Sequence, residues 1–187
     1  MTISSTVQDT KPDALPVAYL GGGCFWCLES QLRALEGVVY TRVGYQGGEI
    51  KEPSYQDVTT GQSGHAEVVE VTYDPDVISY KDLLTFFLTQ GHDATQVNRQ
   101  GVDVGTQYRS VIFYQNDDEK AIAEAAIKEI NVSDYYGSMK IATELSTVEG
   151  NPFWIAEDYH QQYYEKYEET QGKPHIRVQL KEKRKSF

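Results

Sequence analysis

The apolar patterns along this chain predict an α+β fold with a mixed, mainly antiparallel sheet and helices packed against it. Three observations carry that expectation. Short or alternating apolar runs bounded by glycine and proline recur as strand signals. Between them stand longer stretches with apolar residues three and four apart, the spacing of a buried helix face. At 187 residues the chain suits one domain with a sizeable core.

The elements follow in order. Residues 17–20 read as a short strand between Pro16 and Gly21. Phe25, Leu28, Leu32 and Leu35 then give a helix, with Gly37 as its stop. Residues 38–44 read as a strand, and 46–64 as a loop with Gly47, Gly48, Pro53 and Gly61. So long a loop is a place to look for function. Residues 65–73 alternate as a strand, closed by Asp74 and Pro75. Residues 79–90 form a helix, with Ser79 and Asp82 as a capping box and Gly91 as a stop. A second polar loop spans 92–106. Then come a strand over 107–115, an alanine-rich helix over 117–130, a strand over 139–145 and a last helix over 155–169. The core order is strand–helix–strand–strand–helix–strand, the split βαβ, ferredoxin-like arrangement, with a helix and a strand appended. The domain is expected over 17–172, after a flexible leader at 1–16 and before a basic tail at 173–187.

Composition excludes several functions. A formal net charge of −11 argues against nucleic-acid binding. No apolar stretch approaches the length of a membrane span. Residues 1–16 lack the apolar segment of a secretory signal, so the cytoplasm is the simplest compartment. The tail holds Lys173, Arg177, Lys181, Lys183, Arg184 and Lys185 against Glu182, and reads as a solvated terminus. Tyr163, Tyr164 and Tyr167 share a helical pattern and read as packing.

The two cysteines, Cys24 and Cys27, are the only ones, and they follow three glycines at a strand–helix junction. A helix start carries partial positive charge and unpaired N–H groups, which favour thiolate over thiol at Cys24. A structural zinc site needs about four ligands. There is no second cysteine pair, and His65, His92, His160 and His175 have no metal-ligand spacing. A structural disulfide over so short a loop constrains the unfolded chain little. A free cysteine is often just a small buried hydrophobe, but a pair at this spacing on a strand–helix junction is rarely that and points to redox or nucleophilic chemistry. Tyr55, Glu67, Asp103, Tyr108 and His160 are polar candidates from the loops and strands, though each alone also suits an ordinary core or surface role.

Five motifs then occur in order: Gly23-Cys24-Phe25-Trp26, Gly44-Tyr45-Gln46-Gly47-Gly48, Gly64-His65-Ala66-Glu67, Gly105-Thr106-Gln107-Tyr108-Arg109-Ser110 and Glu157-Asp158-Tyr159-His160-Gln161. Over residues 17–165 the chain resembles the peptide methionine sulfoxide reductases of the A type, which act on the S epimer. The resemblance implies a two-layer α+β sandwich, no metal or organic cofactor, and recycling by thioredoxin. Substrates would be oxidised proteins, peptides and free methionine sulfoxide, with no nucleic-acid or membrane partner and a monomeric enzyme. It implies that Cys24 attacks the sulfoxide sulfur and that Glu67, its pKa raised by partial burial, supplies the proton. Tyr55 and Tyr108 would hydrogen-bond the sulfoxide oxygen. Phe25 and Trp26 would wall the S-methyl group. Asp103 would orient polar groups, and His160 would support the site from behind.

The product on the enzyme is a sulfenic acid at Cys24. Many relatives resolve it with a cysteine in the C-terminal tail, and this tail has none. Cys27 is therefore the candidate for a Cys24–Cys27 disulfide. Direct attack on the sulfenic acid by thioredoxin or a small thiol is the alternative. Two rival functions share the C-x-x-C pair: a thioredoxin-like dithiol oxidoreductase and a redox-sensing module without turnover. Neither gives Glu67 or the tyrosine motifs a role.

Overall fold

Strand β1 (Val17–Gly21) runs directly into the glycines and Cys24, and helix α1 (Phe25–Arg33) starts immediately after them. The computed structural model describes residues 10–175. The remaining elements are β2 (Val38–Gln46), α2 (Tyr55–Thr59), β3 (Ala66–Tyr73), α3 (Tyr80–Phe86), β4 (Arg99–Gln100), β5 (Asp103–Val104), β6 (Val111–Tyr114), α4 (Asp117–Val132), β7 (Glu144–Thr147), β8 (Trp154–Ile155) and α5 (Tyr163–Gln171).

The main sheet has the order β7-β6-β1-β3-β2-β8 among the described residues. All its pairings are antiparallel except β6 with β7. The fold is thus α+β with a mixed sheet. Strands β4 and β5 form a separate small hairpin. Strand β3 is buried along its whole length, because both faces of the sheet are covered. Val69, Val71 and Tyr73 face a large core with Leu28 and Leu32 of α1, Leu83 and Leu84 of α3, and Ala123 and Ala126 of α4. Ala66 and Val68 join Val111 and Phe113 in a smaller cluster, capped by Tyr19, Val148 and Phe153. Each fully buried Leu or Phe contributes about 1.5–3 kcal/mol.

Several expected boundaries move, each for a local reason. The loop over 46–64 contains α2, started by a capping box in which Ser54 and Asp57 bond each other's amides. At α3 the Ser79 hydroxyl accepts from the Asp82 amide, and the helix widens into a π turn over Phe87–Gly91. The strand expected from 107 begins at Val111, because Thr106–Tyr108 is a 3₁₀ turn after Gly105 at φ +146°. The strand expected over 139–145 is β7, shifted to Glu144–Thr147 by parallel pairing with β6. The last helix starts at Tyr163, not 155: Ile155 pairs with Gly44 in the sheet, and Gln162 breaks the helix at φ +46°.

Part of the expected leader is tied down. The Pro16 carbonyl accepts from the Tyr73 amide, and Lys11 pairs with Glu70 at 3.2 Å. Residues 1–9 of that leader and 176–187 of the basic tail lie outside the described residues. Among the described residues no helix is long and apolar enough to cross a membrane.

Candidate active site

Cys24 is the N-cap residue of α1, and its carbonyl accepts from the Cys27 and Leu28 amides at 3.1 and 3.2 Å. The glycines before it are required by close neighbours. A Cβ on Gly22 would stand 2.8 Å from the His92 ring, and one on Gly23, at φ +81°, would stand 2.7 Å from the Gln100 side chain. His92 itself is fixed by the Phe87 carbonyl at 2.9 Å and Ser110 Oγ at 2.6 Å.

The expectation of a readily ionised thiol changes here. A hydrogen bond with Cys27, burial and the Glu67 charge push the Cys24 thiol well above its usual range. The Trp26 amide at the helix start pulls the other way and is outweighed. The helix dipole reaches only its own first turn. Here it is opposed by a carboxylate from another element, bonded to the first amide of α1.

That carboxylate is Glu67 on β3, 2% exposed, whose Oε2 accepts from the Phe25 amide at 3.0 Å. The Glu67 and Cys24 charges act on both Tyr55 and Tyr108, whose hydroxyls are pushed up by burial first and by the Glu67 charge next. Asp103 on β5 acts on the same two tyrosines. Cys24, Glu67, Tyr55, Tyr108 and Asp103, from five different segments, thus lie in one electrostatic neighbourhood. Side-chain bonds to the backbone hold those segments together. His65 takes the Gly48 amide on Nδ1 at 3.1 Å and donates from Nε2 to the Ile50 carbonyl at 2.7 Å, which pins the chain leading to Tyr55. Arg109 donates to the Gly64 and Thr106 carbonyls, and Thr106 Oγ1 to the Gly61 carbonyl, tying the Tyr108 turn to the same loop.

The two aromatics differ. Phe25 is 1% exposed and packs against Tyr45 and His160. Trp26 is half-buried, stacked on Tyr163 at 3.8 Å, and its Nε1 donates to His160 Nδ1 at 3.0 Å. That bond leaves the His160 proton on Nε2, facing Glu157 Oε2 at 3.2 Å but off the line of a good hydrogen bond. Burial pushes the His160 pKa down, against the Glu157 charge. Cys27 Sγ lies 3.1 Å from the Tyr164 hydroxyl.

Sequence reasoning missed two members of this arrangement. Glu157 accepts from the Tyr55 amide at 3.1 Å and the Tyr45 hydroxyl at 3.2 Å, besides facing His160. Its signal was present, since it opens the motif that ends in His160 and Gln161. Tyr164 was read as packing, and nothing local distinguishes its hydroxyl from those of its neighbours.

A thiol at a helix start, backed by a buried carboxyl and faced by phenols, defines a thiol-dependent oxidoreductase site. The peptide methionine sulfoxide reductase family matches the chain over residues 16–187. A relative from Saccharolobus solfataricus, the peptide methionine sulfoxide reductase MsrA, is 44% identical over 173 residues, 92% of this chain and 93% of its own. The crystal structure of reduced Mxr1 from Saccharomyces cerevisiae is 34% identical, with a TM-score of 0.73 over 84% of this chain and 88% of that one. The structure of Mxr1 in complex with Trx2 is 25% identical, with a TM-score of 0.54 over 86% of this chain and 94% of that one. The chain belongs to the peptide methionine sulfoxide reductase family, and its activity is the reduction of methionine sulfoxide.

Proposed function

We propose that the chain reduces the S epimer of methionine sulfoxide, free or in peptides, by a Cys24 sulfenic acid mechanism. The observation that carries this is the Glu67 carboxyl bonded to the first amide of α1, beside Cys24 and facing Tyr55 and Tyr108. A carboxyl and a thiol so placed can share one proton. With the proton on Glu67, the charge that opposes Cys24 ionisation is gone, and the acid is ready for the sulfoxide oxygen. Cys24 attacks sulfur, Glu67 protonates the oxygen, and Tyr55 and Tyr108 donate to it as charge grows. Asp103 orients these hydroxyls. Methionine leaves, and Cys24 carries the sulfenic acid. Trp26 supplies apolar surface to the S-methyl group, with Phe25 packed beneath it and His160 holding the indole.

Cys27 then resolves the sulfenic acid as a Cys24–Cys27 disulfide, supported by the contact between the two thiols. Thioredoxin reduces that disulfide. Support comes from the Mxr1–Trx2 complex of a neighbour with the same fold. Among the described residues no group of three His, Cys, Asp or Glu stands close enough to hold a metal ion. The interleaved units β1–α1–β2 and β3–α3–β6, with sheet order β6-β1-β3-β2, support reading the core as ferredoxin-like.

The test is methionine formation from separated S and R epimers with dithiothreitol. Turnover of S alone is expected, and none in Cys24→Ser, because a hydroxyl lacks the needed nucleophilicity. Substantial activity in Cys24→Ser, or equal use of both epimers, would end this reading. Mass mapping after one turnover without reductant checks Cys27: the expected product is a Cys24–Cys27 disulfide.

A further inference from the structure

α1 carries both thiols, and it also fixes the residue that meets the second of them. Glu29, one turn beyond Cys24 and buried, accepts from the Gln162 amide at 2.9 Å and from Gln162 Nε2 at 3.2 Å. The preceding Gln161 side chain brackets the Val43 backbone, accepting from its amide at 2.8 Å and donating to its carbonyl at 2.9 Å. These bonds set the start of α5. Two residues on, the Tyr164 hydroxyl meets Cys27 Sγ at 3.1 Å. Tyr164 is 3% exposed, and its ring stacks on His175 at 4.9 Å. Packing alone would be served by phenylalanine. The buried hydroxyl aimed at sulfur is the feature that packing leaves unexplained.

We infer that the Tyr164 hydroxyl is a catalytic group of the second half-reaction, donating to Cys27 Sγ as that thiol ionises, before the sulfur displaces oxygen from Cys24. The inference rests on Cys27 as the resolving thiol. In the step, the Cys27 sulfur forms the S–S bond with its own electron pair, and the S–O bond of the Cys24 sulfenic acid breaks. The departing hydroxyl takes the proton that Cys27 releases and leaves as water. Cys27 is oxidised and the Cys24 sulfur reduced, so no outside oxidant enters. Tyr164 keeps its proton throughout. Its hydrogen bond is strongest on the Cys27 thiolate that forms before the attack, because bonds to ionised groups are about twice as strong as neutral ones, and it weakens as that charge passes into the S–S bond.

The experiment mixes the reduced full-length chain rapidly with one equivalent of methionine S-sulfoxide, without reductant. Methionine release and disulfide formation are followed by acid quench and mass mapping. In Tyr164→Phe, disulfide formation should fall about tenfold to a hundredfold relative to methionine release in the same variant. The deficit should shrink as pH rises through the thiol range, where Cys27 ionises without help. A role in packing alone predicts the opposite: Tyr164→Phe keeps the ring and the wild-type ratio at every pH, and that result overturns the inference. So does a deficit that does not change with pH. Wild-type chain run alongside separates the two claims. If it forms no Cys24–Cys27 disulfide, Cys27 is not the resolving thiol and both fall. If it forms one and Tyr164→Phe matches it, only the role of Tyr164 falls.

Discussion

Glu67 and Glu70 lie three residues apart on β3, are 2% and 1% exposed, and face opposite sides of the sheet. Burial costs both carboxylates their water. Glu70 is compensated by cations: Arg42 reaches both its oxygens, and Lys11 lies at 3.2 Å. Burial pushes the Glu70 carboxyl up, and these two charges outweigh it, leaving the pKa below the usual value. The field of the fixed anion is felt nearby, where burial and then Glu70 push the Tyr19 hydroxyl up to about 12. Glu67 instead meets a neutral amide, a thiol and phenols. A cation fixes a buried carboxyl in one charge state. Neutral donors leave it able to exchange a proton. The same residue type on the same strand is thus held as an anion by cations on one face and, in the proposed mechanism, gives up its proton on the other.

The first way to break this comparison is Glu67→Gln. The amide oxygen still accepts from Phe25, so the fold should hold, but the transferable proton is lost. Single-turnover methionine release should fall by about 10²-fold or more, and an unchanged rate would remove Glu67 from the acid role. Glu70→Gln should do the reverse. It leaves Arg42 without its full partner, costing about 2–3 kcal/mol in urea unfolding, below the value for fully buried pairs because Arg42 is partly exposed. Methionine release per folded molecule should stay within about twofold, since the group faces away from Cys24. The sign with pH also differs. A lowered folded pKa gives stability that is present above the unfolded value of 4.5 and lost as pH falls through the folded value. Acid titration of wild type should show that loss, and Glu70→Gln should lack it.

How much of this was legible beforehand follows from how local each signal is. Cys24 was legible because strand, glycines and helix periodicity all lie within a few residues of it. Glu67, Tyr55 and Tyr108 come from different elements, and only the motifs linked them. Ser54 and Asp57 were overlooked because the glycines and prolines around them signal loop, yet their capping box starts the turn that bears Tyr55. Ile155 fits an apolar helical pattern, and one pairing with Gly44 makes it a strand residue. No local pattern predicts that, nor the left-handed Gln162 that delays α5. The same holds for Tyr164, whose partner Cys27 lies 137 residues away in sequence.

Glu29 gives the comparison a third case and the smallest expected effect. It is buried on α1 and faces Arg33 on its own helix, Thr41 on β2, and Gln162 and Glu165 around the start of α5. Burial pushes its pKa up to about 7, against the Thr41 and Gln162 hydrogen bonds and Arg33, which favour the charge. A raised folded pKa means that the native state holds a proton the unfolded chain has already lost. Stability from this group therefore falls as pH rises, between the unfolded value of 4.5 and the folded value of about 7. Across about pH 6 to pH 8 the fall is roughly 1 kcal/mol. His65 and His160, both pushed down mainly by burial, add the opposite slope, because the unfolded chain binds their protons more tightly. The measurement is thus a difference: urea midpoints for wild type and Glu29→Gln at both pH values, converted with a common m-value. The variant should lose less stability on going to the higher pH, by about 1 kcal/mol, whatever its absolute stability. Equal slopes would show that Glu29 is already ionised at the lower pH. The clamp it forms on Gln162 would then be a fixed anion like Glu70, rather than a group that exchanges its proton near neutrality.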